Sequence, residues 1–113
     1  MKPIYDPQEL ERLIVARQRS GDVDGMAALY EINAVLDYGG EELAMGREAI
    51  RKVFARLVGE GRKFQLGEQQ AAIISGDLAL TSTRLPDGSV TAEVARKQSD
   101  GSWLWVIDRF SIT

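Results

Sequence analysis

The sequence predicts an α+β domain with helices packed on one face of a curved antiparallel sheet. Three observations carry this expectation. Up to Gly61, apolar residues recur at helical spacing in three stretches, each bounded by capping residues or glycines. From Arg62 on, the period falls to two, as extended strands require. The strands of that second half are joined by the short turns "GD", "PDGS" and "DG", which suits an antiparallel meander.

The first helix is marked in "DPQELERLIVARQRSG". Asp6 is placed to cap it, Pro7 fits its first turn, and Glu9 completes a pattern like a capping box. Leu10, Leu13, Ile14 and Arg17 share one face, and Gly21 ends the helix. Asp22 then caps a second short helix from Val23 to about Tyr30, with Val23, Met26, Ala27 and Tyr30 on its apolar side. Ala34 to Tyr38 reads as a strand, with a very short second strand near Ala44 and Met45. "GREAIRKVFARLVGEG" is the third helix, with Ile50, Val53, Phe54, Leu57 and Val58 as its stripe. Four strands follow: "RKFQLGEQQAAIIS", "LALTSTRL", "VTAEVARKQS" and "SWLWVIDRFSI".

The last strand breaks the simple rule that one sheet face is apolar and the other polar. Strict alternation puts Leu104, Val106, Asp108 and Phe110 on one face, and Trp103, Trp105, Ile107 and Arg109 on the other. Both faces then carry large apolar groups. Extended apolar patches are uncommon on monomers, so a homodimer joined through the sheet face is expected.

Composition narrows the chemistry. A chain of 113 residues is one domain, 1–113, with a single moderate core. Its net charge of −3 and scattered cations do not suit nucleic-acid binding. No apolar run approaches the ~20 residues of a membrane span. The polar N-terminus lacks a signal core, so a cytoplasmic location is expected. With neither cysteine nor histidine, there are no disulfides, thiol nucleophiles, Cys/His zinc sites or His-dependent triads. No acidic loop suggests a metal, and no glycine-rich phosphate loop suggests a cofactor. Acid–base work therefore falls to Asp, Glu, Tyr, Lys or Arg.

The runs "RSGDVDGMAALYEINAVLDY", "GREAIRKVF", "GDLALTSTR" and "TAEVARKQSDGSWLWVIDRFSI" resemble the SnoaL-like proteins of the NTF2-like superfamily. That superfamily also holds ketosteroid isomerase, polyketide cyclases, scytalone dehydratase and limonene-epoxide hydrolase. The resemblance covers nearly the whole chain and implies a cone: a curved sheet round three N-terminal helices, a pocket between them, and usually a homodimer. It specifies a fold far better than a function. Set against ketosteroid isomerase, the base position falls on Tyr38, the helix-one tyrosine on Ile14, and the later aspartate near Ala95. The isomerase set is thus absent as a set. A limonene-epoxide-hydrolase-like trio would need Asp108, Arg84 and either Glu93 or Asp37.

Among single residues, Asp108 stands out. It lies between apolar neighbours in "LWVIDRF", where an unpaired carboxylate is costly. It reads either as a general acid or base with a raised pKa, or as a structural carboxylate paired with Arg84 or Arg96. Many SnoaL-like sequences place an Asp here. Alternation sends Tyr38 inward with Leu36, as a pocket wall or hydrogen-bond donor, and Asp37 outward. Arg84 is a candidate to orient or stabilise a ligand oxygen. Asp37, Glu93 and Trp105 are further candidates for ligand contact, although Trp103 and Trp105 read first as core or interface. The expected activity is cofactor-free acid–base chemistry (isomerase, cyclase or hydrolase) on a small apolar molecule. The rival is a non-catalytic ligand-binding or dimerisation module.

Overall fold

A computed structural model describes residues 3–113. The elements run α1 (Glu9–Arg19), α2 (Val23–Ala27), β1 (Tyr30–Gly39), β2 (Glu42–Met45), α3 (Arg47–Gly59), β3 (Glu68–Gln69), β4 (Ile73–Ser75), β5 (Leu78–Thr81), β6 (Thr83–Arg84), β7 (Ala92–Lys97) and β8 (Trp103–Arg109). Three helices pack on one mixed sheet of order β2-β1-β8-β7-β5-β4, and β3 with β6 forms a separate two-stranded flap. The meander β4-β5-β7-β8 is antiparallel, as the turns predict. The sheet as a whole is not purely antiparallel, because β1 joins β8 in parallel.

Three boundaries differ from the sequence reading, each for a tertiary reason. The second helix stops at Ala27. The carbonyl of Leu29 accepts the Trp105 N–H at 2.8 Å, which draws the chain into the sheet at Tyr30. Asp6 lies one turn ahead of α1 and accepts the Gln8 N–H, so it closes a turn rather than capping the helix. Most of "RKFQLGEQQAAIIS" is not strand. The Phe64 N–H donates to the buried Gln18 side chain at 2.8 Å, and Arg19 donates to the Phe64 carbonyl. Side chains of α1 thus satisfy backbone groups that a ladder would otherwise use.

The largest departure is in β8. Its register against both neighbours shifts between Trp105 and Ile107, a bulge at Val106. One extra residue reverses the alternation beyond it. Trp103, Trp105 and Asp108 are all buried, while Ile107 and Arg109 are exposed. The expected grouping of Leu104 and Val106 with Asp108 is therefore corrected: the tryptophans share the concave face with Asp108.

The core lies between that face and the helices. Phe54 of α3 is fully buried, with ring centroids 5.9 Å from Tyr30, 6.2 Å from Phe64 and 6.3 Å from Phe110. Gly67 is required at the flap, because a Cβ there would lie 2.2 Å from the Arg84 carbonyl oxygen.

Phe54→Ala should cost about 3–5 kcal/mol, since it empties the meeting point of helix and strands. The urea midpoint of the variant against the unaltered chain measures this.

Candidate functional site

The inner side of the sheet closes one end of a cavity of about 720 Å³ between α1, the segment after α3 and the strands. Its wall includes Ile14, Tyr38, Phe64, Trp105 and Phe110. Four carboxyl groups also line it: Glu11, Glu93 and Asp108, and Asp87 at its exposed edge.

The register explains how two of them meet. Glu93 on β7 and Asp108 on β8 are direct cross-strand partners. Both point inward, and they are only 3% and 5% exposed. Asp108 accepts a hydrogen bond from the Tyr30 hydroxyl on β1 through Oδ2. Glu93 accepts one from the Thr81 hydroxyl at 2.8 Å. No cation pairs with either carboxyl among the described residues. Arg96 instead binds Glu31 at 3.0 Å, and Arg84 is exposed on β6, away from the cavity wall. The reading of Asp108 as a structural carboxylate paired with either arginine is thereby set aside.

Unpaired burial determines the electrostatics. Desolvation holds the Asp108 carboxyl well above its ordinary range, and the neighbouring Glu93 adds to this, while the Tyr30 hydrogen bond opposes it. Burial also raises Glu93, against hydrogen bonding from Thr91 and Thr81. Glu11 is pushed up to about 7, by burial first and by Glu93 second. Tyr30 is held well above the usual phenol value by burial and by Asp108. Two buried carboxyls face to face cannot both ionise cheaply, so ionising one strengthens the hold of the other on its proton. The pair can then give a proton from one member and take one at the other.

The remaining candidates separate cleanly. Tyr38 is half-buried in the cavity wall, with the Arg56 guanidinium 5.5 Å from its ring centre. Asp37 points to the other side of the sheet and pairs with Arg109 at 2.9 Å. Trp105 lines the cavity beside Asp108. Among the described residues, no group of three or more His, Cys, Asp or Glu side chains is disposed to hold a metal. None of the helices is long and apolar enough to cross a membrane, again among those residues.

Sequence reasoning missed Glu11 and Tyr30. A signal for Glu11 was present. Ile14, Val15 and Gln18 are buried on α1, and Glu11 begins the same i, i+3, i+4, i+7 series. An acid at the head of a buried stripe is anomalous. Tyr30 was assigned to the apolar side of the second helix, so its hydroxyl was not placed against β8.

A carboxyl with a folded pKa above its unfolded value stabilises the fold below the unfolded pKa, and that contribution is lost as pH rises through the folded value. For Glu11 the window runs from the ordinary carboxyl value of 4.5 to about 7. The chain should therefore lose up to about 3 kcal/mol between pH ~4.5 and ~8 through this group. Glu11→Gln should flatten that slope and raise stability on the alkaline side. Urea midpoints across this pH range provide the measurement.

No family model matches the chain, and no curated protein matches it significantly. Solved structures do resemble it. One from Thiobacillus denitrificans ATCC 25259, named for a calcium/calmodulin-dependent protein kinase type II association domain, superposes with TM-score 0.79 at 16% identity, covering 96% of each chain. A ketosteroid isomerase-like protein from Erwinia carotovora atroseptica gives 0.71 at 20% identity, covering 90% of this chain and 89% of that one. An NTF2-like protein with a cystatin-like fold from Novosphingobium aromaticivorans gives 0.67 at 21% identity, covering 89% and 75%. Identities this low speak to architecture alone. The curved sheet, the helices it holds and these superpositions agree: the chain has the NTF2-like, cystatin-like fold.

Proposed function

We propose that the chain binds a small, largely apolar molecule in the cavity and transfers a proton on it without a cofactor. The observation that supports this is the Glu93–Asp108 pair: two buried, cation-free carboxyls at the cavity wall, one of them bonded to Tyr30. An arrangement kept only for stability would be better served by apolar residues of the same size. Asp108 is the acid–base group. Its Oδ1 makes no hydrogen bond to another described residue, which leaves that oxygen for a ligand. Glu93 stands across from it on β7, and the Tyr38 phenol is placed to donate to a ligand oxygen. The reaction class is proton transfer beside a carbonyl, which covers isomerisation and cyclisation. Arg84 and Asp37 take no part, because neither lies in the cavity wall.

A second reading has its own support. The outer sheet face exposes Leu43, Leu80, Ile107 and Ile112, each 48–56% accessible, around a shallow depression of about 390 Å³. A homodimer through this face covers them. This function of association would stand with or without catalysis.

Two measurements test these readings. Exchange of α-hydrogens for deuterium in phenylacetone and tetralone, followed by NMR in heavy water, should be accelerated by the chain. Asp108→Asn should slow it by about 100-fold or more; a variant as fast as the parent would remove the acid–base reading. For the second, light scattering should give twice the 12.5 kDa chain mass, and Ile107→Lys should return it to 12.5 kDa.

A further inference from the structure

We propose that Glu11 is a second catalytic carboxyl, which takes a proton from carbon on the helix side of the cavity while Asp108 gives one to oxygen on the sheet side. This rests on the reading of the cavity as a site of proton transfer and adds the group that completes the reaction.

Glu11 lines the cavity from α1, and α1 packs over β8. A helix residue and a strand residue thus bound the same space from two layers, with about 720 Å³ for a ligand between them. Glu11 heads the series Ile14, Val15 and Gln18, which are buried against the interior. An acid on such a stripe is costly unless it is paired or hydrogen-bonded. Asp108 has the Tyr30 hydroxyl as a donor, and Glu93 has the Thr81 hydroxyl. Asp87, at the exposed edge, is held by Ser89. Glu11 alone among these four carboxyls has no hydrogen-bond donor or cation among the described residues. Arg12, next to it in sequence, turns to Glu9 instead.

The surroundings assign the roles. Glu93 on β7, Asp108 on β8 and Tyr30 on β1 lie within reach of its field: Glu93 bears on Glu11, and Glu11 bears on Asp108 and Tyr30. Tyr38 shares the wall, while Arg62 and Lys63 lie at the exposed edge and pair with no acid among the described residues. Glu11 is half-buried, and its carboxyl, pushed up to about 7, is partly ionised at neutrality, which suits a base. Asp108 is buried more deeply, and an ionised Glu11 strengthens its hold on its proton. Base and acid therefore support each other.

The step balances without a cofactor. In a ketone, a Glu11 carboxylate oxygen takes an α-hydrogen as a proton, and the C–H electron pair becomes the C=C bond of the enol. The C=O π pair moves onto oxygen, which takes the proton of the Asp108 carboxyl. Glu11 ends protonated and Asp108 ionised, and the reverse step restores both. In heavy water Glu11 swaps its proton for a deuteron before the return, so the label enters at carbon.

The test is α-hydrogen exchange in tetralone, read by NMR in heavy water from pH ~5 to ~9, less the rate without protein. On the unaltered chain kcat/KM should rise as pH passes about 7, because the base acts in its ionised form. Glu11→Gln should lower kcat about 100-fold, abolish that rise and leave KM within about twofold, since the amide fills the same space. Glu11→Asp, which restores a carboxyl, should recover the rise. If Glu11→Gln is as fast as the parent, or if the rise persists in it, the proposal fails while the reading of Asp108 stands. A rate that falls as pH passes about 7 also overturns it. If the unaltered chain does not accelerate exchange, both fail. The pH profile is read on the unaltered chain, so a variant that misfolds does not blunt the test.

Discussion

The bulge at Val106 governs how the inner surface of this molecule is populated. Without it, β8 would turn Trp103 and Trp105 away from the face that carries Asp108, and the core would lose its two largest side chains. With it, two tryptophans, a carboxyl and Phe110 all face the helices, while Ile107 and Arg109 face out. Everything at the site refers back to that offset. Asp108 reaches Glu93 on one side and Tyr30 on the other because β8 is central, with β7 antiparallel and β1 parallel beside it. Arg109 reaches Asp37 because the same offset turns it outward.

The carboxyl cluster is the costly part of the interior. Burying two acids against each other is tolerated when one stays protonated and the others find hydroxyl donors. Tyr30 and Thr81 supply those donors, each from a neighbouring strand. The expense is concentrated at one wall of the cavity of about 720 Å³. Leu10, Met26, Ile50 and Phe54, by contrast, form an apolar part of the core that is fully buried. Buried acids and apolar packing are therefore divided by position.

Much of the fold was legible in the sequence because its signals are local. The third helix, with Ile50, Val53, Phe54 and Leu57 inward, follows directly from periodicity and flanking glycines. So do the turns of the meander. What alternation could not supply was the bulge, because an extra residue in a strand leaves no mark in composition or period. That one feature misplaced both tryptophans. Of the candidate residues, Asp108 stood out as an acid among apolar neighbours and Tyr38 was expected inward; both line the cavity, as does Glu93, whose direction alternation left open. Arg84 was drawn in by residue type alone, but the flap that holds it is paired with β3 and turns it outward. Glu11 was hidden because the face of α1 was set by Leu10 and Leu13, a rotation of about one residue from the observed stripe.

The central place of β8 also shapes the order in which the molecule is made. Tyr30 and Asp108 stand 78 residues apart in sequence, yet they touch. The helices and β1 leave the ribosome early and have no sheet to close on until β8 arrives beside β1. Contacts of such long sequence separation form late, because loop closure precedes any gain from them. The event that seals the core is thus the same one that seats Asp108 against Tyr30. A half-made chain has exposed apolar helices and an open interior, and the closing of β8 on β1 completes the core and the Tyr30–Asp108 contact in one step.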